Sequence, residues 1–433
     1  MTPLEIGILG CMVLLVLLAT SMPVAFAMAL VGLVGFATIT SMHGGLHMVV
    51  GVLRDQFASH SLTVIPLFVL MGQVSFHSGI SRRLFDAAYH WLGWLPGGLA
   101  MATVGACTGF GAICGSGPAT SATMAAVALP EMKRFKYSME LGCGTVAAGG
   151  SLGMLIPPSV VLIAYGVMTR ESIGKLFIAG IVPGVMIAGL FCVMILIQCL
   201  FRPRLAPVAQ ASSWIDRIAS LAGVIETLAL FAVVMGGMFK GFFTPTEAAA
   251  VGAAGSLVIA ALRGKLSRPM LTRSLMETVR TSCMVLFIVA GATMFGRFLT
   301  VTTIPVTLAG WLVGLEVPGV VVMGLIILFY LLAGCFVDAL ALVLLTVPIF
   351  HPVVSELGFD LVWFGVMIVV VTQMGVISPP VGVCAYVVSG IERDVPLGTI
   401  FRGSLPFLLT LVVAAGLLVA FPDIVLWLPR LVR

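Results

Sequence analysis

Two segments of this chain combine a glycine with a proline pair at the same spacing. The segments Gly153–Pro158 and Gly375–Pro380 share the pattern Gly-x-x-x-Pro-Pro and lie 222 residues apart. Each proline removes a backbone N–H donor and clashes with the preceding helical turn, so nearby carbonyl groups lose their partners within the helix. Such carbonyls can coordinate a cation, and the N-terminus of the half-helix that follows can face an anion. One break of this kind could be a simple kink, but two at one spacing favour a paired binding role.

Two side chains at the same offset could add oxygen ligands. Ser116 lies in a glycine-rich stretch, and Asp338 lies 222 residues later in an apolar one. An unpaired charge at membrane depth costs about 2.5–3.5 kcal/mol, so Asp338 is expected to face a cation or another partner. The alternative for Asp338 is a structural helix cap. The alternative for Ser116 and Thr120 is a hydrogen bond from the hydroxyl to a carbonyl of the preceding helical turn.

The composition of the chain indicates what surrounds these residues. Of 433 residues, 60% are hydrophobic and only 9% are charged, whereas soluble domains have about 25% charged residues. So few ions cannot cover a water-facing surface, which excludes a soluble enzyme and predicts a polytopic membrane protein. The cysteines lie in apolar stretches without a Cys-x-x-Cys pair, so metal and redox chemistry are not expected. The basic residues form short clusters typical of membrane topology rather than of nucleic-acid binding.

Apolar runs long enough to be membrane segments occur along the whole chain, since one crossing needs about 20 residues. They are 5–20, 24–40, 60–78, 97–130, 141–167, 176–200, 222–240, 245–262, 282–301, 318–352, 361–390 and 398–421. The runs 97–130 and 318–352 are too long for one crossing and have small or polar residues in the middle, so each is predicted to form a re-entrant helical hairpin. The runs 141–167 and 361–390 contain the proline pairs and are predicted to be broken helices.

The positions of lysine and arginine predict how these runs cross the membrane. Basic residues flank the run 97–130 on both sides, whereas the flanks of 318–352 hold acids and no Lys or Arg. Cytoplasmic segments collect basic residues, so the first hairpin is predicted to enter from the cytoplasm and the second from outside. This arrangement puts 15 of the 22 Lys and Arg residues inside and both chain termini outside.

The two halves of the chain are predicted to be inverted repeats, residues 1–221 and residues 222–433. Pro23 and Pro245 share the offset of the proline pairs. Each repeat has about five transmembrane helices and one hairpin, and an odd number of crossings makes the second half face the opposite way. The predicted fold is therefore an all-α polytopic membrane protein with two inverted-topology repeats, an architecture typical of secondary transporters.

Several motifs resemble the large membrane subunit of the tripartite ATP-independent periplasmic (TRAP) transporters, the DctM type. The resemblance extends from about residue 100 to residue 390, and these segments carry it: Phe110–Ser116, Ala128–Met132, Gly149–Ser159, Phe243–Ala250 and Ser378–Gly382. One position departs from the family pattern. Several relatives have a serine where this chain has Gly117, so a hydroxyl ligand at that position is not carried over.

The resemblance implies an elevator-type, sodium-coupled importer of an organic acid, such as a C4-dicarboxylate or sialic acid, in the bacterial inner membrane. It implies two partners: a periplasmic substrate-binding protein and a small four-helix membrane subunit on a separate chain. Sodium ions would be the coupling ions, with no other cofactor. The transported acid does not follow from the sequence, because in this family the binding protein largely sets it.

The candidate ligands lie at the hairpin tips and in the broken helices. The candidate sodium ligands are Ser116, Thr120, Gly149, Gly150, Pro157, Gly334, Asp338, Gly375, Ser378 and Pro379. The candidate substrate contacts are Ser151, Pro158, Ser159, Gln373 and Pro380.

Three other polar residues are expected to have structural roles. Glu247 follows Thr244 at the spacing of a capping box. Glu131 is expected to pair with Lys133 or Arg134. Arg297 could meet a substrate carboxylate, but its position near the end of a span favours extension of the side chain to the outer interface.

Two other classes of function fit the sequence less well. The alternative transporter is a stand-alone anion permease of the same superfamily, driven by protons or sodium; the single deep acid and the lack of membrane-embedded histidine argue against proton coupling. An intramembrane enzyme would need paired acids, a His-Glu-x-x-His motif or a Ser/His pair at membrane depth, none of which the sequence shows. A Gly-x-x-x-x-Gly-Lys-Ser/Thr loop is also missing, so ATP hydrolysis is not expected.

Overall fold

The computed structural model describes residues 2–20, 22–207, 213–313 and 318–432, and this part of the chain is helical without any strand. The helices of the first half are α1 (Pro3–Ala19), α2 (Val24–Ile39), α3 (Met42–Phe57), α4 (Val64–His77), α5 (Ile80–Leu92), α6 (Gly98–Cys114), α7 (Gly117–Arg134), α8 (Met139–Ser151), α9 (Val160–Thr169) and α10 (Ile173–Phe201). The helices of the second half are α11 (Trp214–Phe239), α12 (Pro245–Leu262), α13 (Arg268–Thr302), α14 (Ile304–Val313), α15 (Gly319–Gly334), α16 (Ala339–Glu356), α17 (Leu361–Ile377), α18 (Val383–Ile391), α19 (Leu397–Ala420) and α20 (Asp423–Leu431). Short 3₁₀ turns lie at His60–Thr63, Leu152–Met154 and Pro203–Leu205.

Seven helical segments of the described ranges are long and apolar enough to cross a membrane. They are α10, α11, α12, α13, α16, α19 and the segment His60–His77, which joins a 3₁₀ turn to α4. Several further apolar helices, among them α1, α2, α6, α15 and α17, have 10–17 residues. The predicted all-helical, polytopic architecture is thus confirmed.

Helix boundaries in the two halves recur at the offset of the sequence motifs. Both ends of α7 and α16 are 222 residues apart, and so are the first residues of α8 and α17. The stretch that α3, a 3₁₀ turn and α4 cover in the first half corresponds to the single 35-residue helix α13 in the second. The pairs α7–α8 and α16–α17 therefore recur in the two halves, whereas one long helix takes the place of α3 and α4 in the second half.

Three details differ from the sequence-based expectations. α3 and α5 were not among the apolar runs, because α3 carries two histidines and an arginine and α5 has one charged face. The predicted repeat boundary between residues 221 and 222 falls inside α11. That helix begins at Trp214 because Ser213 caps it. Its first turns contain polar residues, so they do not belong to an apolar run and the start of the helix was not predicted.

The helices pack in two groups. In one group α2 packs on α1, α3 and α13, while α4 packs on α12 and α13 and α11 packs on α5 and α12. In the other group α8 packs on α6, α7 and α19, α17 packs on α15, α16 and α19, and α10 packs on α6, α19 and α20. The contacts α4–α6, α5–α6 and α13–α16 join the groups. The second group contains both pairs of helices predicted as hairpins and both broken spans.

Glycines let helix backbones approach closely within the first group. A Cβ atom at Gly291 would lie 2.3 Å from the carbonyl oxygen of Ala25, and one at Gly32 would lie 2.7 Å from the carbonyl carbon of Met294. Helices in membranes commonly associate through such small residues. Part of the large glycine content therefore serves packing between α2 and α13 rather than binding.

Candidate functional site

The chain turns between α6 and α7 at Gly115 and Ser116. Gly115 has a backbone φ of +67°, in the left-handed region that glycine adopts without strain. A Cβ atom there would lie 2.3 Å from the carbonyl oxygen of Pro158, so the turn needs glycine for space as well. The carbonyl of Gly115 accepts a hydrogen bond from the N–H of Val160 at 3.3 Å. This tip therefore rests, main chain against main chain, on the segment that joins α8 to α9.

The first broken span is interrupted between α8 and α9. The 3₁₀ turn Leu152–Met154 follows α8, and the cis-bonded pair Pro157-Pro158 comes next. Ser159 then starts α9, because its hydroxyl accepts a backbone N–H of the first turn at 3.2 Å. The same hydroxyl donates to the carbonyl of Met154. Ser159 is thus a helix cap that also closes the break.

Three candidate residues lie in the last turn of α8 rather than in the break. The N–H of Leu152 donates to the carbonyls of both Gly149 and Gly150. The hydroxyl of Ser151 donates to the carbonyl of Ala148 at 2.8 Å. The break begins after Ser151, later than the glycine pair suggested, and the carbonyls of that pair already accept a hydrogen bond.

Oxygen atoms of Ser116 and Thr120 meet the first broken span at Gly153. The hydroxyl of Thr120 donates to the carbonyl of Ser116 at 2.8 Å, which is the hydrogen bond to the preceding turn expected of a structural role. A Cβ atom at Gly153 would lie 2.6 Å from the Thr120 hydroxyl and 3.1 Å from the Ser116 carbonyl oxygen. The Ser116 hydroxyl makes no capping bond to α7. The Ser116 carbonyl also accepts the N–H of Thr120 at 3.0 Å, so both of its lone pairs are used. The Thr120 hydroxyl is therefore the oxygen that keeps acceptor capacity against the backbone of Gly153.

The turn between α15 and α16 ends at Asp338. Its carboxylate caps α16, since one oxygen accepts the N–H of Leu340 at 3.1 Å. The Asp338 side chain is nevertheless exposed on the wall of a cavity. Asp338 therefore acts as a helix cap, and its carboxylate also lies on the cavity wall.

The second tip also packs main chain against main chain on its broken span. A Cβ atom at Gly375 in α17 would lie 2.4 Å from the carbonyl oxygen of Gly334, the last residue of α15. The carbonyl of Cys335 accepts the N–H of Val381 at 3.2 Å, as the carbonyl of the first tip accepts an N–H from its own span. The two halves thus use the same kind of contact.

The second break differs from the first in exposure. Ser378 is buried and its hydroxyl donates to the carbonyl of Met374 at 2.6 Å, whereas the cis pair Pro379-Pro380 is exposed. In the first half Pro157-Pro158 is buried. Gln373, one turn before the break, is fully buried, and neither polar atom of its side chain has a hydrogen-bond partner among the described residues.

One cavity of about 300 Å³ brings the two tips together. Its wall includes Ser116 and the first turn of α7 on one side, and Asp338 and the first turn of α16 on the other. Gln73 of α4 and Thr281 of α13 add polar side chains. The remaining candidates do not line this cavity. Sequence reasoning missed Gln73 and Thr281, whose only signal is a polar residue within or beside an apolar run.

A second polar cavity, of about 590 Å³, lies between α3, α13 and α16. The guanidinium of Arg297 pairs with the carboxylate of Asp55 at 3.6 Å there, and Arg170 and His351 also line the wall. Arg297 thus has an ion-pair partner at this cavity. The expectation that no histidine lies within a span is wrong, because His351 is half-buried in α16, a helix able to cross a membrane.

Ion pairs connect the end of α7 to the second half of the chain. The ammonium of Lys133 contacts the carboxylates of Glu392 at 2.6 Å and Asp394 at 3.4 Å. The hydrogen bond to Glu392 raises the pKa of Lys133. Glu131 pairs with Arg134 at 3.4 Å, one of the two partners expected. The capping box between Thr244 and Glu247 is also confirmed.

The sequence was compared with known families and structures. A family profile described as "Tripartite ATP-independent periplasmic transporter, DctM component" matches residues 11–424. The chain belongs to this family. Members of the DctM family are transporters and not enzymes, in agreement with the resemblance and with the absence of catalytic motifs from the sequence.

Relatives of this DctM-family chain are similar over nearly their whole length. The C4-dicarboxylate TRAP transporter large permease protein DctM of Pseudomonas aeruginosa is 37% identical over 86% of each chain. The sialic acid TRAP transporter large permease protein SiaM of Vibrio cholerae is 34% identical over 96% of each chain. The crystal structure of the YdaH transporter of Alcanivorax borkumensis has the same fold, with a TM-score of 0.61, 18% identity, and coverage of 88% of this chain and 89% of that one.

Proposed function

We propose that this chain is the large permease subunit of a sodium-coupled, binding-protein-dependent transporter that imports an organic acid by an elevator mechanism. The observation that carries the proposal is the shared cavity of Ser116 and Asp338. These residues come from opposite halves of the chain, at the same offset as the proline pairs. A site built jointly by two matching tips is typical of transporters with inverted repeats, whose binding site lies where the repeats meet.

Oxygen ligands of the kind that hard cations prefer support the sodium part of the proposal. At the first tip, the Ser116 carbonyl and the Thr120 hydroxyl lie against Gly153. At the second tip, the carboxylate of Asp338 supplies a negative charge. A sodium ion near Asp338 would offset the cost of a carboxylate at membrane depth.

Two helix N-termini support the anion part of the proposal. The first turns of α7 and α16 both line the cavity, so the positive dipole ends of both helices face it. A substrate carboxylate would be favoured there once sodium neutralises Asp338. Two of the relatives are named for a C4-dicarboxylate and for sialic acid, and we propose a substrate of this class.

The two packing groups support a separation of the protein into a moving part and a fixed part. We assign the moving part to the group with both tips and both broken spans, and the fixed part to the group around α2, α4, α12 and α13. The recurrence of helix boundaries at one offset supports inverted repeats, joined near α11. A small membrane subunit and a periplasmic binding protein would complete the transporter in the bacterial inner membrane, as the tripartite family name implies.

Uptake into proteoliposomes tests this function. Vesicles containing this chain and its small subunit should accumulate radiolabelled acid only when a sodium gradient and the loaded binding protein are both supplied. Full uptake by this chain alone, or uptake driven by a pH jump without sodium, would refute the proposal in favour of a stand-alone permease.

Sodium binding is tested separately by thermal melting in sodium chloride against potassium chloride. Asp338→Asn should abolish the sodium-induced rise in Tm while leaving α16 capped, because asparagine is as good a cap as aspartate. The matched control is Asp360→Asn, since Asp360 caps α17 in the same way and does not line the cavity. An undiminished sodium response of Asp338→Asn would remove this residue from the ion site.

A further inference from the structure

A cavity of about 590 Å³ lies at the ends of α10 and α19, on the face predicted to be cytoplasmic. Arg202 follows the last residue of α10 and Arg402 lies in the second turn of α19, and both line this cavity. Gln198 and Glu140 line it as well. The cavity is separate from the tips and the broken spans, so transport chemistry does not account for it.

The floor of the cavity is held by main-chain contacts. A Cβ atom at Gly403 would lie 1.9 Å from the carbonyl oxygen of Glu140, so α19 and α8 touch directly beside the two arginines. The turn after α10 is also held, because the carbonyl of Leu205 accepts the N–H of Ser138 at 2.9 Å. Arg202 therefore extends from a short fixed turn. The arginines are presented by a rigid frame.

Both arginines lack a partner within the part of the chain that the structure describes. Arg202 and Arg402 form no ion pair and no side-chain hydrogen bond there. Other arginines on the same predicted face do pair, as Arg83 and Arg263 do with Glu226. Two guanidinium groups against the one carboxylate of Glu140 leave an excess positive charge in the cavity.

Exposed apolar side chains surround the charged part of the cavity. Phe201 is 84% exposed, Leu405 is 48% exposed and Ile197 is 47% exposed, and all three line the wall. In a membrane protein such a surface at the end of a spanning helix faces acyl chains. A soluble anion would use the arginines alone, whereas a phospholipid would use the arginines and the apolar wall together.

We propose that this cavity is a binding site for an anionic phospholipid, with Arg202 and Arg402 holding the phosphate and Phe201, Ile197 and Leu405 contacting the acyl chains. Basic pockets between helices on the cytoplasmic side are suited to lipid headgroups of this kind. Gln198 adds a neutral donor to the phosphate. Glu140 reduces the positive charge without cancelling it, because two guanidinium groups share the cavity with its single carboxylate.

The test is a lipid titration of the purified, delipidated full chain, followed by native mass spectrometry and thermal melting. Phosphatidylglycerol should bind as one tight adduct and raise Tm more than phosphatidylcholine does. A basic residue near an anionic headgroup contributes about 1 kcal/mol, roughly five-fold in affinity. The double variant Arg202→Gln/Arg402→Gln should therefore bind phosphatidylglycerol roughly 25-fold more weakly.

Arg204→Gln is the matched control, because Arg204 lies two residues from Arg202 on the same turn, is exposed, and does not line the cavity. It should keep the affinity of the unaltered chain. The single variants Arg202→Gln and Arg402→Gln should each bind phosphatidylglycerol more weakly than the control does. If the control loses as much affinity as either of them, the binding depends on general surface charge and the proposed site is wrong. A full rise in Tm with inorganic phosphate alone would overturn the lipid assignment. Unchanged melting of the variants without added lipid shows that they are folded.

Discussion

The contact between Gly375 and Gly334 allows a sharp test of how the second tip is held. In Gly375→Ala the new methyl group would lie 2.4 Å from both the carbonyl carbon and the carbonyl oxygen of Gly334. Carbon atoms in ordinary contact are about 3.5 Å apart, so α15 and α17 must separate by roughly 1 Å. Because both partners are main chain, no side-chain rotation can relieve the clash. The displacement occurs just before the turn that carries Asp338.

The magnitude follows from comparison with a second alanine variant. Gly324 also lies in α15, and a Cβ atom there has no neighbour within 4 Å. Gly324→Ala and Gly375→Ala share the gain in helix propensity, about 1 kcal/mol, so their difference isolates the clash. Forcing an extra methyl group into a packed contact costs about 1–3 kcal/mol. At about 2 °C per kcal/mol, the Tm of Gly375→Ala should lie roughly 2–6 °C below that of the control.

The assay combines thermal melting in detergent with sodium-driven uptake in proteoliposomes. Gly324→Ala should melt at or slightly above the temperature of the unaltered chain and retain its uptake. Gly375→Ala should lose both stability and uptake. Equal melting temperatures for the two variants would show that the second tip does not pack on α17 as described. A lower Tm with full uptake would show that the contact is structural only.

Three further substitutions have definite expected outcomes. Gln373→Met should raise Tm, because an unsatisfied buried amide costs about 1–3 kcal/mol. The same variant should lower uptake if the amide contacts the substrate. A lower Tm would instead show that Gln373 has a hydrogen-bond partner. Thr120→Val should lower Tm slightly in potassium chloride, because the hydrogen bond to the Ser116 carbonyl is lost, and should also reduce the sodium-induced rise; an unaltered sodium response would exclude the hydroxyl as a ligand. Lys133→Gln should lower Tm, because the side chain of Glu392 is only 11% exposed and would lose the cation paired with it, and an unchanged Tm would show that the pair contributes nothing to stability.

Much of the architecture could be predicted because it depends on local rules. Proline pairs interrupt helices wherever they occur, and Gly115 at the first tip adopts a left-handed φ, so the breaks and the first turn follow from the residue types. The 222-residue offset added long-range information that a single motif does not contain. It predicted that Ser116 and Asp338 correspond, and the structure adds that they face one cavity.

The remaining features depend on packing that no local pattern encodes. Gly149 and Gly150 form a glycine pair typical of a break, yet α8 continues through them because the prolines that interrupt it come later. Gln73 and Thr281 join the cavity only because α4 and α13 pack beside the tips. α3 was missed since its histidines and arginine lower its hydropathy, although α2 and α13 cover one face of it.

The contact of each tip with its broken span through main-chain atoms has a consequence for how such a protein can diversify. At Gly115 and Gly375 the neighbouring main-chain atoms leave room for hydrogen only. A surface made of backbone has nearly the same shape whatever the neighbouring side chains become. Mutation can therefore change lipid-facing residues and docking loops without altering the spacing of the carbonyl groups. Substitutions that change the preferred substrate are therefore expected around this centre. A single methyl group added within it would be difficult to compensate by substitutions elsewhere.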